Sequence, residues 1–76
     1  MAATRVNLSN IWQLVNNSGT ACTIQALGDY AEIIFDSSFP AVTDSGFLIQ
    51  HGQGLTDKFG TGNMYARGTG YVLVMT

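Results

Sequence analysis

The chain has one cysteine, one histidine and one proline in 76 residues. A single cysteine, Cys22, excludes an internal disulfide. One cysteine and one histidine, His51, fall short of the four ligands that common structural zinc sites require. Charge is also scarce. Three basic residues (Arg5, Lys58, Arg67) stand against five acidic ones, and the charged fraction is 11%, where soluble domains average about 25%. A net charge of −2 without a basic stripe excludes a nucleic-acid footprint, which needs several cations against phosphates. No apolar run approaches the roughly 20 residues of a membrane helix. The first residues, Met1-Ala2-Ala3-Thr4-Arg5, hold no apolar stretch of signal-peptide length. The expected setting is a cytoplasm, or a larger assembly built from there. The sequons at Asn7 and Asn16 are then chance matches.

These absences matter because the chain is small. A chain near this length buries only about 60% of the surface its unfolded form exposes, so a lone core is marginal. Small scaffolds are commonly reinforced by disulfides, a metal or a partner subunit. Cys22 and His51 remove the first two, and self-association remains.

What the chain does have is turn chemistry. Nine glycines, with clusters of Asn, Ser, Thr and Asp, punctuate short apolar segments, the pattern of an all-β chain with tight turns. The expected strands cover residues 5–8, 12–15, 21–27, 30–36, 46–51, 55–59, 63–67 and 71–76. Within them Cys22, Ile24 and Ala26 share one face, with Thr23 and Gln25 on the other. Ile33 and Phe35 stand opposite Glu32, Ile34 and Asp36. Residues 10–15 admit, as the alternative, one turn of helix capped by Ser9 or Asn10. Residues 37–45 hold Pro40 and read as a longer connection whose Phe39, Ala41 and Val42 plug the interior. The last two runs flank Gly68-Thr69-Gly70 and read as a C-terminal hairpin locked into a sheet, since loose termini fray. The predicted fold is all-β, a compact β-sandwich or small barrel of six to eight short antiparallel strands, one domain over residues 1–76.

One pattern exceeds a simple sandwich. A strand with one wet face alternates apolar and polar residues. Residues 33–35, 47–49 and 71–75 are apolar on both faces. A two-layer domain this small has nothing of its own to lay over the outer side. A second copy or another protein is the expected cover.

Residues with chemical potential occur without the spacing that chemistry needs. His51 ends an apolar strand and reads as a side chain bonded to a carbonyl or to solvent, not as a catalytic base. Cys22 lies in line with Ile24 and Ala26 and reads as a small core residue. Asp29, Glu32 and Asp36 are close in sequence, and the last two share a strand face. A glycosidase-type pair or a weak calcium site would use such residues, but a solvated face and turn is the expected reading. The glycine pairs at 52/54, 60/62 and 68/70 lie between strands, so they are turns and not phosphate loops. No catalytic, cofactor-binding or metal-binding residue is assigned. The aromatics Trp12, Tyr30, Tyr65 and Tyr71 suit either an interface or core or a sugar-binding platform. Arg67 is expected to pair with a carboxylate across a subunit boundary. The predicted interface residues are Trp12, Phe47, Tyr65, Arg67 and Tyr71, on the enrichment of aromatics and Arg at hot spots.

The run Met64-Tyr65-Ala66-Arg67-Gly68-Thr69-Gly70-Tyr71-Val72-Leu73-Val74 resembles the ending of many small structural proteins of tailed bacteriophages. In those a (V/L/M)-(W/Y)-A-R-(G/S) strand turns through small residues into a terminal Val-rich strand. Thr4-Arg5-Val6-Asn7-Leu8 followed by Trp12-Gln13-Leu14-Val15 is similar to their N-terminal strand pair. Phe39-Pro40-Ala41 is compatible, and the likeness covers about half the chain. It implies a non-enzymatic virion component made in the host cytoplasm: a capsid decoration or cement protein, or a tail-, fibre- or spike-associated domain. Its partners would be copies of itself, with a trimer favoured, and other virion proteins. The rival readings are a carbohydrate-binding or host-receptor-binding module and, behind it, a small enzyme or inhibitor with a pocket at His51.

Overall fold

The computed structural model describes residues 3–57 and 62–76. Its strands are β1 (Ala3–Asn7), β2 (Gln13–Asn16), β3 (Cys22–Ala26), β4 (Tyr30–Asp36), β5 (Phe47–Gln50), β6 (Gly54–Asp57), β7 (Asn63–Thr69) and β8 (Tyr71–Met75). They form two antiparallel four-stranded sheets, β1-β8-β3-β6 and β2-β7-β4-β5. The architecture is therefore a sandwich and not a barrel. Residues 10–15, the alternative helical turn, are a bend leading into β2. The expected strand at 55–59 begins one residue earlier, and its Lys58 and Phe59 lie outside the described residues, as does Gly60 of the turn after it.

Period-two patterning decides which face goes in. Cys22, Ile24 and Ala26 of β3 and Val72 and Val74 of β8 meet Ala31 and Ile33 of β4, Ile49 of β5, and Met64 and Ala66 of β7 in one core. Ile24, Ile33, Met64 and Val72 are fully enclosed. Burying one such side chain is worth about 1.5–3 kcal/mol. The C-terminal strand is central in its sheet, between β1 and β3, which ties the chain end on both edges.

The C-terminal hairpin is corrected by the structure. β7 and β8 belong to different sheets, and the chain crosses between them at Gly70. The strand over 63–67 continues through Thr69, so Gly68 and Thr69 are strand and not turn. The crossing from β3 to β4 at Gly28 meets this one. A Cβ on Gly28 would lie 2.3 Å from the Gly70 Cα, and one on Gly70 would lie 2.2 Å from the Gly28 Cα. Gly70 also holds φ at 88°, a region that costs other residues about 1–2 kcal/mol. The two backbones touch where any side chain would part them. The Leu8 N–H donates to the Gly70 carbonyl at 2.9 Å, and the Leu27 N–H to that of Tyr71 at 2.9 Å, closing the same corner. A hairpin and a sheet crossing share the same turn residues, so local sequence does not separate them.

Gly28→Ala is expected to cost about 1–3 kcal/mol through this forced separation. Gly19→Ala, at a site with φ of 89° and nothing within 4 Å of the added carbon, should cost only about 1 kcal/mol of backbone strain. Urea midpoints at constant slope read both. Equal losses would refute the role given to the Gly28–Gly70 contact.

Candidate functional site

Strand β7 breaks the alternation seen elsewhere. Met64, Tyr65 and Ala66 are buried in succession, so both faces of this strand are covered. The cover on the outer face is residues 37–46, the connection between β4 and β5, which folds back over the second sheet as a strap.

The strap is held by its backbone. Register sets Glu32 on β4 directly opposite Arg67 on β7, the spacing at which opposite charges across strands interact. The Arg67 Nε donates to Glu32 Oε1 at 2.7 Å. Its two terminal nitrogens donate to the carbonyls of Val42 at 2.8 Å and Asp44 at 2.9 Å. The guanidinium lies 4.3 Å from the centre of the Trp12 ring, within cation–π range. Trp12 Nε1 donates to the Ala41 carbonyl at 3.1 Å, and the Gly46 N–H donates to Glu32 Oε2 at 2.9 Å. The Asp44 carboxylate accepts the Ala41 N–H at 2.8 Å. The Phe39 ring meets Tyr65 edge-on, with centroids 5.3 Å apart.

This geometry overturns the plug expected of Phe39, Ala41 and Val42. Phe39 is 60% exposed and Val42 72% exposed, and Ala41 is exposed with them. Pro40 alone in that stretch is buried. The strap turns its carbonyls to Arg67 and Trp12, so its apolar side chains turn outward. It also covers, from within the chain, Trp12, Tyr65 and Arg67, three of the residues expected at a subunit interface.

Electrostatics follow the same contacts. Burial acts to raise the Glu32 pKa. The hydrogen bonds from Arg67 and from the Gly46 N–H, together with the Arg67 charge, outweigh it and hold the carboxyl below the usual glutamate value. Burial, and then the Asp57 carboxylate, push the Cys22 thiol up, which suits a core residue and not a nucleophile. The exposed His51 contacts the Gly28 carbonyl through Nδ1 at 2.8 Å. A carbonyl only accepts, so Nδ1 carries the proton there.

The five predicted interface residues fall in three places. Trp12 (2% exposed), Tyr65 (5%) and Arg67 gather under the strap, so the two rings are enclosed by their own chain. The subunit-bridging pair expected of Arg67 is instead the internal pair with Glu32. Tyr71 is half-buried on the outer face of the first sheet, beneath Arg5 at 3.8 Å. Phe47 stands 64% exposed on β5, at the edge of the second sheet. Of the acidic residues, Glu32 binds Arg67, and the Asp36 carboxylate accepts the Ser38 N–H at 3.2 Å. Among the described residues no three His, Cys, Asp or Glu side chains gather to hold a metal. Of the other exposed apolar residues, Leu48 belongs to the run 47–49 read as apolar on both faces, whereas Ile11 and Leu14 were not singled out by the sequence. Alternation of strand faces carries the signal for Leu14 and for Leu48, which stands opposite the buried Ile49; Ile11 lies outside a strand.

No family model matches the chain, and no curated protein or solved structure matches it.

Arg67→Lys is expected to lower stability by about 1.5–3 kcal/mol, because a compact ammonium cannot reach three separated acceptors. Trp12 emission should shift to the red as its ring gains water. Glu32 adds a pH dependence. Its folded pKa lies below its unfolded value, so its contribution is complete above the ordinary pKa of about 4.3 and is lost as pH falls through the folded value. Glu32→Gln should flatten that acid limb in a urea–pH series. An unchanged limb would refute the assignment.

Proposed function

We propose that the chain is a structural component of a tailed-phage particle, a capsid decoration or cement protein or a tail- or fibre-associated one. It acts through protein–protein interfaces and has no catalytic role. The observation that carries this reading is the apolar surface around the strap. Ile11 is 63% exposed, Leu14 49%, Phe39 60% and Val42 72%. Leu14 lies opposite Tyr65 in register, and Phe39 packs on the same ring. Ile11 adjoins Trp12 in sequence, and the Val42 carbonyl is bound to Arg67. One buried hub therefore presents four apolar side chains to the outside. Exposed apolar surface on so small a chain marks an interaction site.

The likeness of Met64-Tyr65-Ala66-Arg67-Gly68 to the endings of small phage structural proteins selects the kind of partner. Tyr65 and Arg67 of that motif serve by fixing the strap, and the strap presents the contact residues. The sugar-platform alternative retains Tyr30, which is 42% exposed, but Trp12 offers no face to a sugar. Sugar-dependent quenching of Trp12 is not expected.

Purified capsids and purified tails, each sedimented with the protein, test the proposal. Wild type should pellet with one of them. Val42→Asp places a charge on the exposed strap and should weaken retention by at least about tenfold, or about 1.4 kcal/mol, with the thermal midpoint unchanged. Wild type that stays in the supernatant with both particles would overturn the reading.

A further inference from the structure

We infer that the outer face of the first sheet is a docking surface for a protein segment that presents a carboxylate between apolar side chains, and that Arg5 receives the carboxylate. This surface is separate from the one around the strap, and the inference does not rest on the particle reading.

Register builds the face. Val72 and Val74 of β8 lie in the core, so Tyr71, Leu73 and Met75 point the other way. β8 is flanked by β1 and β3. Arg5 and Gln25 stand on either side of Leu73, and Ala3 and Thr23 on either side of Met75. The middle of the face is therefore an apolar stripe with polar flanks. Tyr71, Leu73 and Met75 are each only half-buried. The strap that covers the second sheet has no counterpart over this stripe among the described residues. A strand apolar on both faces in the centre of a sheet marks a face that lacks its cover.

Most polar groups on the flanks are bonded within the chain. The Thr23 and Thr56 hydroxyls bond to each other at 3.1 Å. Gln25 Nε2 donates to the Gly52 carbonyl at 3.2 Å. Arg5 differs. Its guanidinium carbon lies 3.8 Å from the centre of the Tyr71 ring, and its Nε donates to Asn7 Oδ1 at 3.1 Å. That is the one hydrogen bond Arg5 makes, and the residue is exposed. Both terminal nitrogens are therefore left without an acceptor in the chain. Arg67 stands in contrast, since its terminal nitrogens are taken by the Val42 and Asp44 carbonyls. Tyr71 and Asn7 hold the Arg5 fork flat against an apolar floor. A planar fork takes a carboxylate through two parallel bonds. Orienting it in advance lowers the entropy lost on binding.

Charge selects the occupant. The one carboxylate in these four strands, Asp57, is buried opposite Cys22 on the inner face. A second copy packed face to face would bring another guanidinium and no anion, so the face is not complementary to itself. Nucleic acid and anionic membranes carry many charges, and a chain of net charge −2 with one cation here repels them. A phosphate group carries up to about two charges and would leave one unmatched beside the stripe. An alkyl carboxylate needs an enclosing cleft to bury its tail, and a sheet face is open. A single carboxylate matches Arg5 one for one, and apolar neighbours on both sides of it match Tyr71, Leu73 and Met75. An Asp or Glu within an apolar peptide segment has that chemistry.

NMR titration of the isotope-labelled protein with the capped peptide Ser-Val-Asp-Val-Ser tests the inference. The amides of residues 71–75 and the Arg5 Nε–H should shift and saturate. Peptides with Asn in place of the Asp, or Gly in place of both Val, should bind at least about tenfold more weakly. Arg5→Gln should weaken binding of the Asp peptide by a similar factor, with the thermal midpoint near that of wild type because Arg5 is exposed. The two control peptides test the same claim without altering the protein. Absence of saturable shifts at 71–75 would overturn the inference. So would equal binding of the three peptides, or binding that Arg5→Gln leaves unchanged. Tighter binding of decanoate would overturn it in favour of a free alkyl carboxylate. The same shifts on concentrating the protein alone would overturn it in favour of a second copy. Sedimentation with particles bears on none of these outcomes.

Discussion

The guanidinium of Arg67 divides its donors among Glu32, the Val42 carbonyl and the Asp44 carbonyl, and lays its flat face near Trp12. Those groups come from β2's approach, from β4 and from the strap. A point charge on a flexible stem would satisfy one of them. The planar fork satisfies three at once. The dependence runs both ways. The strap shields Arg67 and Glu32, each with 18% of its side chain exposed, and partial burial makes their interaction stronger than an exposed pair would be. A strap of ten residues with one proline has little apolar surface directed inward, so its attachment is mainly polar.

The sandwich beneath depends on a different constraint. Consecutive strands fall in opposite sheets at every step except β4 to β5. Nearly every connection must therefore pass from one layer to the other at an end of the molecule. Such crossings crowd backbone against backbone, and at Gly28 and Gly70 they are in contact. The one step that stays within a sheet is the one with the strap. Neighbouring strands linked directly would take a short hairpin. Here ten residues intervene and form a third layer over the second sheet. The same topology makes almost all strand pairing non-local, which favours slow folding.

Two kinds of apolar surface result. Around the strap, Phe39 and Val42 point outward because the carbonyls of that segment point inward. On β5, Phe47 and Leu48 are exposed because the sheet ends there. The first surface is a side-chain patch suited to a partner of complementary shape. The second lies on an edge strand whose Gln50 N–H and carbonyl are already bonded to Gln53.

Much of the architecture was legible in the chain. Alternation at 22–26 and 30–36, with glycine-rich turns between, determines the all-β class, most strand positions and the inward set Cys22, Ile24, Ala26 and Ile33. This works because strand faces repeat every two residues and local turns punctuate them. The apolar run at 33–35 also indicates that something must lie outside the second sheet. What lies there was decided only in three dimensions. The pairing of Glu32 with Arg67 spans 35 residues and follows from register. The turn of residues 37–46 onto Trp12 follows from carbonyl directions, which no side-chain pattern encodes. The assignment of β7 and β8 to separate sheets follows from the meeting of Gly28 with Gly70. Local sequence determines faces and turns because those are short-range properties of the backbone. Which faces meet depends on contacts between residues far apart in the chain.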